Sequence, residues 1–448
     1  MKDRRDLTTG NISMKLIRFA IPLVLMQLLQ AVYNLVDMII VGQFVGSAGM
    51  SAVNIGGQVT HLVLALSNGL SNGGSAYIGQ LYGAKRREEA KAVVSTQVTF
   101  LLSLALVITL GVIIFLNPLL RALNTPAESF GETRAYLIIC IVGTVFVYMD
   151  NSLNAALRGI GESLNPLLYV SITTVENILL DLLFVGVFKW SAAGAALATV
   201  ISQATAMCFA AVYVKRHTDL FDFKLRSFRI VPERLKELIK IGLPQAIQYV
   251  STNISFLFIS SLINSYGVSA SAAAGAANKI WTFGTRPGAA CMSAMVSVTA
   301  QNHPSRSFKR IMKGMFTALA VSLAFAAVFF VLCQAVPEFM YGLFTSDPLV
   351  AEVGVGYLRI YAISFFVEVI MFCMFGVLTG SGYTNVTMAC SIISAFGIRY
   401  VMALVLSQYT SMGFNGIALA YSCAPLLGIA VCIYFLLSGR WKKSRIKI

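Results

Sequence analysis

Charge is scarce in this 448-residue chain: Asp, Glu, Lys and Arg make up 12% of it, against roughly 25% in a soluble domain. Acids are scarcer than bases, 19 against 34. With 57% hydrophobic residues and a mean hydropathy of +0.77, the composition does not describe a soluble globular protein. Paired cysteines are also lacking. The eight cysteines stand singly inside or at the edges of apolar runs, so they read as small core residues and not as disulfides or a zinc site. His61, His217 and His303 fall on separate stretches and form no metal-ligating group. No Walker A pattern occurs, so ATP is not expected to drive the protein directly. A formal charge of +15 would suggest nucleic acid on a soluble chain, but here the bases have first to be placed relative to a bilayer.

What is present is a series of long apolar runs. A helix crossing about 30 Å of hydrocarbon needs about 20 mostly apolar residues. Such runs lie near 16–43, 52–80, 92–115, 133–157, 166–188 and 192–214, and again near 241–265, 270–300, 312–336, 354–379, 385–408 and 413–437. Twelve spans put both termini on one side. When the connections are assigned to alternate sides, 27 of the 34 Lys and Arg residues fall on that side, including Lys2, Arg4, Lys85, Arg86, Arg226, Arg310 and Lys443. Only Arg121, Arg134 and Lys189 fall opposite. The heavy side is therefore expected to be cytoplasmic, and the +15 charge is a topology signal, with no nucleic-acid partner implied. The first apolar run is too long for a signal-peptide core and lacks an A-x-A site, so it is expected to remain in the mature protein.

The chain also repeats itself. Pro22 at the start of span 1 and Pro244 at span 7 stand 222 residues apart. Ile78-Gly79-Gln80 resembles Thr299-Ala300-Gln301, Leu157–Gly161 resembles Leu378–Gly382, and Gly194–Thr199 resembles Gly416–Tyr421, all at shifts of 221 or 222. Each half holds six spans, so the halves share one orientation, as parallel repeats in transporters do. The expected fold is an all-α polytopic membrane protein of two six-helix lobes, 1–214 and 241–448, joined by a cytoplasmic linker over 215–240. A path between two such lobes would suit a small-molecule substrate.

An ionisable group inside a span is costly and marks a candidate functional site. Asp37 on span 1 lies seven residues before Phe44, Asp181 on span 5 seven before Phe188 and Thr199 on span 6 seven after Ala192, all about 10 Å below the outer surface at 1.5 Å per residue. Gln27, Gln30, Asn34 and Asp37 follow a 3-4-3 spacing, and Thr173, Asn177 and Asp181 a 4-4 spacing, so each set forms one polar stripe. Two carboxylates at one depth would share a proton or be held charged by a hard cation with oxygen ligands. Tyr136, in the outer part of span 4, can join them. The competing reading is that Asp37 and Asp181 only hydrogen-bond helices together. Asp150 and Glu176 are weaker candidates, since one can pair with Arg158 or cap a helix and the other lies off the Asn177 stripe.

The second half differs in sign. Its intramembrane groups include Lys279, Arg286, Arg399 and one acid, Glu368. At the 222 shift Asp37 falls on Ile259, Asn177 on Arg399 and Asp181 on Ala403. Cation coupling is thus expected in the N-terminal lobe, with the basic residues as accessory or substrate-contacting groups.

Several stretches carry a family likeness: Leu7–Ile12, Pro22 with Val36-Asp37 and Val41-Gly42, Gly79–Arg86, Arg158–Gly161, Asn177–Asp181 and Gly194–Thr199. Together they resemble the multidrug and toxic-compound extrusion (MATE) transporters, in particular their DNA-damage-inducible-type bacterial and archaeal branch, over essentially the whole chain. The resemblance implies an antiporter driven by Na⁺ or H⁺ that exports organic cations and other amphipathic compounds across the cell membrane; separately, the chain is expected to be a monomer. The resemblance also implies an N-lobe network of Asp37, Tyr136, Asn154, Asn177, Asp181 and Thr199, and a bend of the first helix at Pro22. No cofactor beyond the coupling ion is expected. The span-10 acid of some members matches Glu368, whereas their span-7 acid falls on Thr252. Rival readings are a flippase for lipid-linked precursors, a major-facilitator carrier and an intramembrane transferase. The second lacks its loop acid here, since Gly79–Gly83 holds no Asp, and the third lacks a His–acid or Ser–Lys cluster.

Overall fold

The computed structural model describes residues 5–345 and 347–447; Lys2 and Arg4 of the basic N-terminal cluster lie outside them. All regular structure among the described residues is helical. Twelve long segments follow one another: α1 Ile12–Phe44, α2 Ser47–Gly83, α3 Arg87–Ile114, α4 Ala127–Gly159, α5 Leu164–Val187 and α6 Ser191–His217. The second six are α7 Pro232–Asn264, α8 Val268–Asn302, α9 Phe308–Ala335, α10 Pro348–Gly380, α11 Thr384–Gln408 and α12 Phe414–Leu437.

Ten of these are long and apolar enough to cross a membrane, by length and composition. The other two, α2 and α8, occupy corresponding places in the two halves and are rich in Gly, Ala and Ser, with Lys279 and Arg286 on α8. Their small residues serve close packing. A Cβ on Gly69 or Gly73 would stand 2.2 Å from the Ala246 Cα or 2.5 Å from the Gly242 Cα on α7, and one on Gly288 would stand 2.5 Å from Val369 on α10. Such approaches are how helices associate where lipid supplies no hydrophobic drive.

Two helices change pitch. The α5 helix passes from α- to π-geometry at Leu182–Val187, and α11 does so at Ile393–Tyr400. Both are the fifth helix of their half, but the wider turns stand at different places in it: at the 222 shift Leu182–Val187 falls on 404–409, beyond Ile393–Tyr400. Neither is visible in apolar periodicity, because a single π-turn displaces the pattern by only one residue.

Packing divides the chain into two compact units, one of Leu25–Ala246 and one of the residues up to Val24 with those from Ile247 onward. Each division follows an in-helix proline, Pro22 or Pro244, by two residues. The grouping therefore differs from span order, 1–214, 215–240 and 241–448, in a specific way. The N-terminal segment packs with the C-terminal helices: Leu7 N–H donates to Gln301 Oε1 at 3.0 Å, and the hydroxyls of Ser13 and Thr317 lie 2.8 Å apart. The linker and the start of α7 pack with the first-half helices. Val231 N–H donates to Thr96 Oγ1 at 3.1 Å, Arg234 donates to Tyr77 Oη at 2.8 Å, and Arg234 also pairs with Glu89.

Candidate functional site

Within the Leu25–Ala246 unit, α1 supplies Tyr33 and Asp37, α5 supplies Asn177 and Asp181, and α6 supplies Thr199. The stripe on α5 faces inward, with Asn177 2% and Asp181 0% exposed. The side chains of Asp37 and Asp181 are within hydrogen-bonding reach of each other. Asn177 fits its surroundings with its amide nitrogen 2.8 Å from Asp181 Oδ2 and its amide oxygen 3.2 Å from the Thr199 backbone nitrogen. The Tyr33 hydroxyl lies 3.4 Å from Thr199 Oγ1. Asp181 is the last α-helical residue before the π-segment, so the change of pitch begins at the carboxylate.

Tyr136 borders this group from α4. Its hydroxyl lies beside Cys140 and sits in the field of Asp37 and Tyr33. The ring lies where a Cβ on Gly56 would stand 2.4 Å from its Cδ1, so a glycine on α2 makes room for it.

The structure does not gather every residue of the expected network. Gln30 and Asn34 are exposed on α1. Asn154 lies beside Asp150, which also feels Arg158, and so belongs to a separate polar group on α4. Glu176 accepts from Thr205 Oγ1 at 2.9 Å and points to α6 away from the Asn177 stripe. Pro22 lies inside a continuous α1 helix. In the other unit, Arg399 Nη2 lies 3.8 Å from Glu368 Oε1, the Lys279 ammonium lies over Phe344 at 5.8 Å, and Arg286 interacts electrostatically with Tyr249. Tyr33 is the member that sequence reasoning missed. Its signal was present, since it stands one turn before Asp37 and so shares its face.

The chemistry of the group follows from its donors. One oxygen of each carboxyl, Asp37 Oδ1 and Asp181 Oδ1, is buried with no hydrogen-bond partner. Two carboxylates this close do not both stay ionised without a proton or a cation, and unpartnered buried acceptors leave room for either. The surrounding oxygens are hydroxyls of Tyr33 and Thr199, and no group of three or more His, Cys, Asp or Glu suited to a metal occurs among the described residues. Such a set suits a proton or a monovalent cation with oxygen ligands better than a transition metal.

Comparison with known proteins bears on what surrounds this group. The family model MatE matches residues 22–183 and again residues 244–405, two copies offset by the period of the internal repeat. The probable multidrug resistance protein YoeA of Bacillus subtilis is 28% identical over 435 residues, covering 96% of this chain and 94% of its own. The multidrug export protein MepA of Staphylococcus aureus is 25% identical over 371 residues, covering 82% and 81%. A structure described as the outward-facing conformation of a multidrug resistance MATE family transporter superposes with a TM-score of 0.92 at 22% identity, covering 97% of this chain and 98% of that one. Twelve membrane-length helices, a repeat that one family model recognises twice, and full-length relatives lead to one conclusion: this multi-pass membrane protein belongs to the MATE family of multidrug efflux transporters, which are secondary transporters and not enzymes.

Proposed function

We propose that the protein is a cation-coupled antiporter that exports amphipathic and cationic organic compounds, with Na⁺ or H⁺ bound at Asp37 and Asp181. The observation that carries this reading is the close carboxyl pair, Asp181 buried and Asp37 half-buried, with one buried and unpartnered oxygen on each side chain. Asn177 holds Asp181 in position from one turn away, and Thr199 and Tyr33 supply neutral oxygens. A cation arriving from outside neutralises the pair, and the lower charge favours the conformation that releases substrate. The cation then leaves to the cytoplasm and substrate binding restores the first state. Coupling of this kind requires that each ligand prefer a different conformation, and the preference is reciprocal. The distribution of Lys and Arg supports a cytoplasmic location for both termini. The protein is proposed to work as a monomer, since the pair lies wholly within one chain.

Proteoliposomes loaded with a fluorescent organic cation test the proposal. An imposed Na⁺ or H⁺ gradient, each applied alone, is expected to drive efflux, and only one of them need do so. Asp37→Asn and Asp181→Asn are expected to abolish gradient-driven efflux while leaving substrate binding measurable. Efflux that continues unchanged in both variants would overturn the assignment.

A further inference from the structure

The repeat places a different chemistry at the corresponding positions of the second unit. At a shift of 222 residues, Asp37 maps to Ile259, Asn177 to Arg399, Asp181 to Ala403 and Thr199 to Tyr421. Both acid positions are filled by apolar side chains, Ile259 and Ala403, each 0% exposed. The scaffold is kept nonetheless. Asn177 meets Thr199 through its amide oxygen in one unit, and Arg399 meets Tyr421 in the other, with the guanidinium 5.0 Å from the ring centroid.

Arg399 is held unlike an ordinary structural arginine. It is 6% exposed, and its Nε and Nη1 have no hydrogen-bond partner. Its surroundings are two aromatic faces, Phe256 at 5.2 Å and Tyr421 at 5.0 Å, and one carboxylate oxygen of Glu368 at 3.8 Å. Aromatic faces with a single carboxylate are the environment of a bound cation more than that of a fork-to-fork ion pair. Glu368 itself is 4% exposed and comes from α10, where the 221 shift of this helix pair leads back to Val147. The acid and the base are thus both additions of this half. The charge count closes in one unit and not in the other. Two carboxyls with no base need an exchangeable cation, whereas one carboxylate facing one guanidinium does not, because a guanidinium keeps its proton in proteins.

We propose that the Arg399 guanidinium is a tethered cation that fills, in the unit of α8–α12, the role an exchangeable cation has at Asp37 and Asp181. Glu368 is thereby closed to Na⁺ and H⁺, and the number of coupling ions is set by the first pair alone. Arg399 acts here as a specificity-determining residue. The inference rests on the cation-exchanging role proposed for Asp37 and Asp181, and it predicts a gain of binding, which loss of a structural contact would not produce.

The test counts cations bound to the purified full-length protein in detergent, by ²²Na⁺ equilibrium binding and potentiometric proton titration. Arg399→Gln is expected to add about one Na⁺ or proton per protein, since it leaves a buried carboxyl without its countercharge. The double variant Arg399→Gln/Glu368→Gln is expected to return to the wild-type count, and Arg399→Lys to stay at it. A monodisperse Arg399→Gln protein that retains the cation lost in Asp181→Asn, yet gains none, would overturn the proposal. So would a loss of bound cation on Glu368→Gln alone, a measurement that stands even where Arg399→Gln does not fold. The Asp181→Asn arm reads the coupling-site assignment, and the difference between the Arg399→Gln single and double variants reads this one, so the two fail separately.

Discussion

Asn177 donates its side-chain amide to Asp181 Oδ2 at 2.8 Å from one turn earlier on the same helix. The bond fixes which oxygen of Asp181 is engaged and leaves Oδ1 buried with no partner. A donor of this kind to a carboxylate contributes about 1.5–3 kcal/mol. Asn177→Ala is therefore expected to weaken coupling-cation binding by about tenfold or more, read as the cation concentration for half-maximal efflux. Asn34→Ala, on an exposed position of α1, is expected to leave that concentration within about twofold. Equal effects of the two substitutions would show that Asn177 does not position the carboxylate.

Close backbone approach in the first unit gives a second expectation. Gly73 faces the Gly242 Cα, with a Cβ built on it only 2.5 Å away, and neither backbone can turn aside as a flexible side chain would. Gly73→Val is expected to destabilise the protein by about 1–3 kcal/mol through overpacking, lowering the thermal midpoint in detergent. Gly57 serves as the control, because nothing lies within 4 Å of its Cβ position. Gly57→Ala is expected to change stability by less than about 0.5 kcal/mol. A Gly73→Val protein as stable as Gly57→Ala would refute the close packing of α2 on α7.

Much of this was legible in the sequence, and the reasons for the remainder are physical. Depth counting placed Asp37, Asp181 and Thr199 on one level because helix rise is constant, and the 3.6-residue period aligned Asn177 with Asp181. The same arithmetic could not separate Asn154 from that group. It lies beside Asp150, and which neighbour an asparagine faces depends on helix rotation, which a composition of uniformly apolar faces does not fix. Glu176 turned out to serve Thr205 for the same reason. The division of the chain after Pro22 and Pro244 was hidden more deeply. Span order records connectivity, whereas the contacts of Leu7 with Gln301 and of Arg234 with Glu89 join segments far apart in sequence.

One side chain makes four of the hydrogen bonds that hold the N-terminal segment. Arg310 donates to the carbonyl of Leu7 from Nε at 3.1 Å and from Nη2 at 3.0 Å, to Gly10 at 2.5 Å, and to Thr9. Asp6 organises the other side, accepting from the Thr8 amide at 2.8 Å and from the hydroxyls of Thr8 and Thr9. Removing a charged donor from several carbonyls costs about 1.5–3 kcal/mol, so Arg310→Ala is expected to speed amide hydrogen exchange over residues 7–10 by about tenfold or more. Lys309→Ala, on an exposed neighbour, is expected to leave exchange unchanged. Unaltered exchange in Arg310→Ala would mean that the segment is held by Gln301 and Asn302 without it.

The C-terminal segment carries a pH dependence whose sign can be worked out. His303, just beyond the end of α8, is buried, and its Nε2 lies 3.0 Å from the Trp441 carbonyl oxygen. The ring donates that bond, because a carbonyl only accepts. Burial pulls the imidazole below its ordinary value of 6.5, against a smaller opposing effect of the bond to Trp441. Around it, Phe308 packs edge-on against both His303 and Trp441, Lys442 lies over Phe308, and Tyr383 donates to the Arg440 carbonyl at 2.7 Å. A base that resists protonation when docked contributes its stability fully above the unfolded value. That contribution is lost as pH falls below 6.5 toward the lower folded value, since His303 binds the extra proton once the segment is released. Exchange of the amides over residues 440–445, corrected for intrinsic rate, is expected to show more frequent opening at pH 5.5 than at pH 7.5. His303→Gln keeps a donor and does not titrate, so its opening is expected to be the same at both. Identical pH dependence in the variant and the parent would assign the effect to another group.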